Sequence, residues 1–249
     1  MVTMSKGEYV MTVVFDLDGT TIFKGKKMSK DIEQAIAKLS KQRKIIFASA
    51  RPIRDMLPVL PPSFHDFTLI GGNGAFIKNK GLITATSFSE KETTIILKLI
   101  EINQLDYMVD SSWDYSFRGD SNHPLFLGVD PLKTAKNKEL SSLYPIIKAV
   151  LFTTEPQIIQ QLKKLQITIY LHGSEQLIDL SPKEISKWTA FKSLYFNEPF
   201  IMFGNDANDL PMFEHASKSY IIGNTIENTF KGISITEESV ARTITSLCY

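Results

Sequence analysis

Five short apolar runs, each followed at once by Asp, Ser or Gly, limit the folds open to this chain more than any other feature. The runs occupy residues 9–15, 45–48, 67–70, 200–203 and 220–222. Continuous apolar runs of this length, without polar alternation, are typical of strands that are buried on both faces. The sequence therefore predicts a parallel sheet that is covered by helices on both sides.

Helical patterns separate these runs, and this alternation favours a doubly wound α/β core. They cover residues 32–39 after a possible N-cap at Ser29, and residues 183–195, 207–216 and 237–247. Doubly wound sheets bind ligands beyond the carboxyl ends of their strands. The polar residues found at those ends are Asp16, Asp18, Ser49, Asn73 and residues 205–209. We therefore expect the functional site at this edge of the sheet.

The middle of the chain has a different rhythm, which predicts a second domain inserted into the first. Strand-like segments and helical patterns alternate there, at residues 82–88, 91–102, 107–110, 146–153, 157–165, 167–171 and 177–180. We predict a core domain of residues 1–80 and 183–249, interrupted by an α+β domain of residues 81–182.

Charge and cysteine content restrict the partners and the compartment. Lys and Arg total 28 against 27 acidic residues, so no overall field attracts nucleic acid or an anionic membrane. The single cysteine, Cys248, cannot form an intramolecular disulfide, which favours a cytoplasmic location. No apolar run approaches the roughly 18 residues of a membrane-spanning helix. We expect a small-molecule substrate, no nucleic-acid or membrane partner, and a monomer or weak homodimer.

The segment from Asp16 to Thr21, with the sequence DLDGTT, carries the strongest chemical signal because it directly follows an apolar strand. Residues two apart in extended backbone point the same way, so Asp16 and Asp18 are expected to face one cleft. Two neighbouring carboxylates are costly unless a cation lies between them or one of them holds a proton. The alternative is that Asp18 and Gly19 only form a turn after the strand.

Four motifs in order along the chain resemble the haloacid dehalogenase-like hydrolase superfamily, in particular its Cof-type branch, subfamily IIB. That resemblance implies a Rossmann-like core with an inserted α/β cap. The DLDGT motif implies that Asp16 is a nucleophile that becomes phosphorylated. It also implies that Asp18 is the general acid and base, and that its backbone carbonyl holds a metal ion.

The second motif, Ala48 to Arg51, resembles the strand-end motif whose hydroxyl donates to the phosphoryl group, a role for Ser49. Ser49 could instead cap a helix over residues 52–57. Arg51 could contact the substrate or stabilise its own loop. The third motif implies that Lys187 neutralises the aspartate and the phosphate, with Lys183 as the competing candidate.

The fourth motif, at residues 203–210, resembles the acidic metal motif of the family. Asn205 stands where the family usually has Asp, so either Asn205 or Asp206 is the direct Mg²⁺ ligand. Asp209 would lie nearby or act through water, and Asn208 would face the phosphate or Lys187. The implied metal site is Asp16, Asp18, Asn205, Asp206 and Asp209.

A loop at residues 71–75 resembles one beside the substrate in Cof-type members, which makes Asn73 a candidate substrate contact, together with Arg51 and Asn208.

Together these motifs imply a Mg²⁺-dependent phosphatase that hydrolyses a small phosphorylated metabolite, such as a sugar phosphate, through an aspartyl-phosphate. The inserted domain would cover the site and select the leaving group. Its candidate substrate contacts are Tyr107, Trp113, Tyr115, Arg118 and His123. A sugar phosphomutase and a weakly catalytic phospho-ligand-binding protein are the alternatives.

Overall fold

The computed structural model describes residues 11–172, 176–224, 226 and 232–248. Its strands are β1 (Thr12–Phe15), β2 (Ile45–Ala48), β3 (Thr68–Gly71), β4 (Phe76–Asn79), β5 (Leu82–Ala85), β6 (Tyr107–Asp110), β7 (Tyr115–Arg118), β8 (Lys148–Leu151), β9 (Ile167–His172), β10 (Leu177–Pro182), β11 (Phe200–Gly204), β12 (Lys218–Ile222) and β13 (Ile233–Ile235). Its helices are α1 (Lys30–Leu39), α2 (Ile53–Met56), α3 (Glu90–Ile102), α4 (Pro124–Leu127), α5 (Pro156–Leu162), α6 (Lys187–Leu194), α7 (Leu210–His215) and α8 (Val240–Ser246). Within the described residues, none of the helices combines the length and the apolar character that crossing a membrane requires.

The larger sheet has the order β13-β12-β11-β1-β2-β3-β4-β5. The six strands from β13 to β3 are parallel, and β4 and β5 continue the sheet as antiparallel strands. Strand β1 is central, since Val13 is in register with Ile201 on one side and Ile45 on the other. The predicted doubly wound parallel sheet is therefore confirmed.

Helices cover both faces of this sheet. Successive side chains of a strand point to opposite faces, so the packing of β1 shows which helices lie on each side. Val13 and Phe15 pack with residues of α1 and α8 in one apolar cluster. Val14 packs in another cluster with residues of α6 and α7. The predicted N-cap of α1 is present, since the Ser29 side chain accepts the backbone N–H of Ile32. Strand β1 is thus buried on both faces, and the residues that follow its carboxyl end line a cavity.

The inserted domain contains an antiparallel sheet with the order β7-β6-β8-β10-β9. Helices α3 and α5 pack against one face of this sheet through Ile96, Leu99 and Ile158. The other face carries a separate apolar cluster that includes Met108, Val150 and Leu177. This second face is turned toward the core domain and forms one wall of a cavity between the two domains. We call the inserted domain the cap.

The division between the two sheets differs from the predicted one at its first boundary. The strand expected within residues 82–88 is present as β5, but it pairs with β4 in the larger sheet. Lys80 and Gly81 both have positive φ, 49° and 80°, so the chain reverses tightly there and β5 returns along β4. The larger sheet therefore extends to Ala85, beyond the predicted limit at residue 80. Residues 9 and 10 of the first predicted strand lie outside the described residues.

Candidate active site

The carboxyl ends of β1, β2 and β11 lie side by side, which brings the first, second and fourth sequence motifs to one place. The Asp16 N–H donates to the Phe203 carbonyl at 2.9 Å, and the Ser49 N–H donates to the Ile70 carbonyl at 2.8 Å. A cavity of about 620 Å³ opens between this edge and the cap. The predicted site residues that line it are Asp16, Asp18, Ser49, Arg51, Asn205, Asp206 and Asn208.

Lys187 connects the nucleophile motif to the fourth motif. Its ammonium group donates to Asp16 Oδ1 at 2.6 Å and to Asp209 Oδ1 at 2.7 Å, and its side chain is fully buried. Ser186 caps α6 with a reciprocal pair of hydrogen bonds to Thr189, so the helix begins at Lys187, later than predicted. The competing candidate, Lys183, is exposed and pairs with Glu184 instead. Lys187 therefore occupies the position that the third motif implied.

The charges in this cluster perturb each other strongly. Burial raises the pKa of Asp16 to about 7, although the nearby Lys187 charge acts in the opposite direction. Burial lowers the pKa of Lys187, but the charges of Asp16 and Asp209 outweigh burial, so its pKa lies above the ordinary value. Lys187 is therefore charged at neutral pH, while Asp16 exchanges a proton near neutrality when no cation is bound.

Asp18 and Arg51 form a two-pronged ion pair at the mouth of the cavity. Arg51 Nε donates to Asp18 Oδ2 and Arg51 Nη2 donates to Asp18 Oδ1, both at 2.7 Å. Asp18 is half exposed, whereas Asp16 is buried, so the two carboxylates have different environments. Ser49 Oγ accepts the N–H of Arg51 at 3.1 Å and also faces the cavity. The alternative role of Ser49 as a helix cap is not present, because α2 has Pro52 as its N-cap and no side-chain cap hydrogen bond.

The amide of Asn205, the carboxylate of Asp16 and the backbone carbonyl of Asp18 lie close together at the end of β1. The amide atom of Asn205 that faces the site lies 2.9 Å from the Asp18 carbonyl oxygen and 3.1 Å from Asp16 Oδ2. Adjacent oxygens around Mg²⁺, each about 2.1 Å from the ion, lie about 3 Å apart. Without a cation, the hydrogen bonding favours the amide nitrogen at this position, where it donates to these acceptors; the opposite orientation of the amide would present its oxygen to a bound cation. An amide, a carboxylate and a backbone carbonyl therefore fit the metal that the family implies.

Gly19 is needed for this arrangement. It has a φ of +77°, and a Cβ atom there would lie 2.3 Å from Asn205 Nδ2. A side chain at position 19 would therefore displace the amide of Asn205.

The other two predicted metal residues are placed differently. Asp209 is fully buried, and its Oδ2 accepts the N–H groups of Asn205 and Asp206 at 3.0 and 3.2 Å while Oδ1 accepts from Lys187. Both of its oxygens thus accept from protein donors, and through them Asp209 orders the loop and holds Lys187. Asp206 caps the turn through Ala207 and lies 3.8 Å from His172 of the cap. Across the described residues, no group of three or more His, Cys, Asp and Glu side chains is arranged to hold a metal ion. The set described above contains one carboxylate side chain, one amide and one backbone carbonyl.

Asn73 and Asn208 form a bridge from the core to the cap. Lys187 Nζ lies 3.4 Å from Asn208 Oδ1, and Asn208 Nδ2 donates to Asn73 Oδ1 at 3.0 Å. Asn73 Nδ2 donates to Asp179 Oδ2 of β10 at 3.0 Å, and Asp179 pairs with Lys148 of β8. Asn208 lines the cavity, whereas Asn73, predicted as a substrate contact, is buried behind it.

Sequence reasoning missed Lys148 and Asp179, which also line the cavity. The signal that could have found them is a charged residue inside a short apolar strand, as in residues 146–151 and 177–180. A buried charge of this kind needs a partner.

Of the five cap residues that the sequence suggested as substrate contacts, His123 alone lines this cavity. Tyr107 is buried in the cap core and Arg118 donates to the Leu105 carbonyl. The Trp113 carbonyl accepts from Arg54 of the core, whose guanidinium also lies over the Tyr115 ring. These residues therefore belong to the cap interior or to the contact between the domains.

These features define a class of capped α/β hydrolases: a doubly wound core, an aspartate–lysine cluster at the end of its central strand, and an inserted antiparallel cap. The chain belongs to the haloacid dehalogenase-like hydrolase family, whose model matches residues 13–239. This match confirms the resemblance inferred from the motifs. No curated protein sequence matches the chain.

Solved structures with the same core and cap are similar over nearly their whole length. The subclass IIB sugar phosphatase BT4131 has 15% identity and a TM-score of 0.75, over 94% of this chain and 98% of that one. The phosphatase BT1666 from Bacteroides thetaiotaomicron has 15% identity and a TM-score of 0.73, over 98% and 97% of the two chains. A haloacid dehalogenase-like hydrolase from B. subtilis has 17% identity and a TM-score of 0.75, over 93% and 98%. At these identities the likeness establishes the fold.

Proposed function

We propose that this protein is a Mg²⁺-dependent phosphatase that hydrolyses small phosphate monoesters through an aspartyl-phosphate at Asp16. The observation that carries the proposal is the environment of the Asp16 carboxylate. One of its oxygens accepts from the buried Lys187, and the other faces the Asp18 carbonyl and the Asn205 amide. The carboxylate lines a covered cavity at the end of the central strand. A buried carboxylate held in this way is oriented for attack on phosphorus.

Asp16 attacks phosphorus and displaces the alcohol, so that hydrolysis is divided into two easier steps. Lys187 and the hydroxyl group of Ser49 stabilise the charge on the phosphoryl oxygens. Asp16 Oδ2, the Asp18 carbonyl and Asn205 Oδ1 would hold Mg²⁺, which supplies further positive charge beside those oxygens. Asp209 keeps Lys187 and the Asn205 loop in place through the hydrogen bonds described above.

Asp18 donates a proton to the leaving alcohol and then accepts one from the attacking water. It lies at the cavity mouth, where both of its oxygens are paired with Arg51. For Asp18 to transfer a proton, at least one of these hydrogen bonds must open. Arg51 therefore positions Asp18. Because Arg51 also lines the cavity, it can contact a bound substrate.

Sugar phosphates are the first substrates to test, since BT4131 is described as a sugar phosphatase. The cavity volume of about 620 Å³ is suited to a ligand of that size.

The test measures release of inorganic phosphate from a panel of phosphate monoesters, with and without Mg²⁺. We expect Mg²⁺-dependent release that falls by at least about 10³-fold in Asp16→Asn, because the nucleophile is lost. The matched control is Asp66→Asn, which changes an exposed aspartate of the core and should retain activity. A complete absence of Asp16-dependent turnover, combined with retained binding of phosphate esters, would instead support the binding-protein alternative.

Asp18→Asn tests the covalent step. It should still accept a phosphoryl group from an activated ester but release it slowly, so intact-protein mass spectrometry should detect the phosphorylated protein. Absence of this species in both the variant and the wild type would contradict the aspartyl-phosphate. Formation of an isomeric sugar phosphate without free phosphate would identify a mutase.

A further inference from the structure

On the cap side of the cavity, most side chains that do not form ion pairs within the protein are apolar. Along β6, β8 and β10, alternate side chains point either to the cap helices or to the cavity. Met108, Val150 and Leu177 point to the cavity and form a buried apolar cluster. Leu125 and Val129, from the segment after β7, pack against this cluster and also line the cavity. We call these five residues the apolar wall.

The charged groups on the same wall are committed to the protein. Asp110 accepts from Arg54 of the core at 2.9 Å, in an almost fully buried pair. Lys148 and Asp179 pair with each other, and Asp179 also accepts from Asn73. These interactions hold the cap against the core and neutralise the charges. His123 and His172 also line the cavity from the cap, and apart from these two side chains few polar groups on the cap side remain to replace the water around a bound ligand.

A leaving group with many hydroxyl groups is poorly matched to such a wall. Each hydroxyl that turns toward Met108, Val150 or Leu177 loses its hydrogen bonds to water without gaining a partner. A ring with an apolar face instead removes its own surface and that of the wall from water. A rigid ring also loses little conformational freedom on binding. The wall therefore favours apolar rings over free sugars.

We propose that the apolar wall selects phosphate monoesters whose alcohol carries an apolar ring. This inference rests on the proposed function, since it assumes that the phosphoryl group is bound beside Asp16. It replaces the free sugar by a more apolar leaving group as the preferred substrate class. Met108 and Leu125 are then specificity-determining residues of the cap.

The experiment compares benzyl phosphate with glucose 6-phosphate. Both are dianionic esters of primary alcohols, so their phosphate contacts are matched and only the remainder of the leaving group differs. Binding is measured by calorimetry with Asp16→Asn in the presence of Mg²⁺, so that the readout does not depend on turnover. We expect benzyl phosphate to bind at least about tenfold more tightly than glucose 6-phosphate.

Met108→Gln and Leu125→Gln, each combined with Asp16→Asn, place a polar side chain of similar length in the wall. Each should weaken benzyl phosphate binding by about tenfold and leave glucose 6-phosphate binding unchanged or improved. Leu127→Gln is the matched control, because Leu127 belongs to the same short helix as Leu125 but is exposed and away from the cavity. It should change neither affinity.

Equal or tighter binding of glucose 6-phosphate by the parent protein would overturn the inference. Equal effects of the Leu125 and Leu127 substitutions would overturn it as well. Selective binding of benzyl phosphate without any Mg²⁺-dependent hydrolysis by the wild type would support the apolar wall while contradicting the proposed phosphatase. The two proposals are thus separable by their readouts.

Discussion

Replacing Lys187 by Met removes the buried ammonium group that holds two carboxylates together, and we expect a large loss of stability in the metal-free protein. Lys187 contacts Asp16 at 2.6 Å and Asp209 at 2.7 Å, and its side chain has no exposed surface. Removing one partner of a buried ion pair costs about 3–5 kcal/mol. For a chain of this size, this corresponds to a fall in Tm on the order of 10 °C.

The assay is thermal and urea unfolding in the presence of a chelator, followed by the fluorescence of Trp188. This residue follows Lys187 in α6 and packs against Phe191, so it reports on the core. A Trp113→Phe background removes the other tryptophan, which lies in the cap. Adding Asp209→Asn to Lys187→Met should recover part of the loss, because one unpaired charge is removed while an acceptor oxygen is kept.

The pH dependence gives a second, independent check. Burial raises the pKa of Asp16 to about 7 from its ordinary 3.8. A carboxyl with a raised folded-state pKa binds an extra proton in the native state between these two values, so stability falls as the pH rises through this window. The loss continues through this window and is complete above about pH 7. Asp16→Asn should therefore make the metal-free protein more stable than the wild type at alkaline pH, but not at about pH 4.

In Lys187→Met, the carboxyl groups of Asp16 and Asp209 lose their positive neighbour, so both bind a proton more readily. The loss of stability caused by the substitution should therefore shrink as the pH is lowered toward about 5. A change of less than about 1 kcal/mol at neutral pH, or a loss that grows on acidification, would refute the assignment of Lys187 as the buried counter-charge.

Three further predictions follow from the contacts around the site. Asn205→Asp adds a negative charge beside Asp16, so it should strengthen Mg²⁺ binding by about tenfold or more in calorimetry and lower the Tm of the metal-free protein; equal Mg²⁺ affinity would contradict the placement of residue 205 at the metal. Gly19→Ala should cost about 1–2 kcal/mol and reduce Mg²⁺ affinity, because Gly19 has a φ of +77° and an added Cβ meets Asn205; Gly25→Ala, with a φ of +65° and no atoms within 4 Å of the added Cβ, separates the backbone strain from this clash. Lys148→Met should destabilise the cap by about 3–5 kcal/mol because it leaves Asp179 buried without its charged partner, and hydrogen exchange should locate the change in β8 and β10.

Local sequence patterns were sufficient for the larger part of the fold. The apolar runs at residues 45–48 and 200–203 became β2 and β11 with nearly the same limits, because a strand buried on both faces must be apolar at every position. Strands β4, β7 and β13 were missed, since each is short and partly exposed, so their sequences lack a continuous apolar run.

The position of a site residue was predictable where its motif directly follows a strand. It was not predictable where it depends on which of several distant groups the side chain contacts. The motif positions of Asp16 and Ser49 follow from β1 and β2, whose carboxyl ends lie at one edge of a parallel sheet. The sequence left Lys183 and Lys187 as alternatives, and the helix start at Ser186 distinguishes them. Asp209 was expected near the metal or acting through water, and only the structure shows that it accepts from Lys187 and two backbone N–H groups.

By itself, the sequence determined the class of fold, the family and the position of the site along the chain, because these depend on residues that are close in sequence. Only the tertiary structure decided which cap residues face Asp16. The hydrogen bond from Asn73 to Asp179 joins residues 106 positions apart, and the apolar wall brings together three strands of the cap. Such contacts depend on how the cap sheet is oriented over the core. That orientation is set by buried pairs such as Arg54 with Asp110, which no local pattern records.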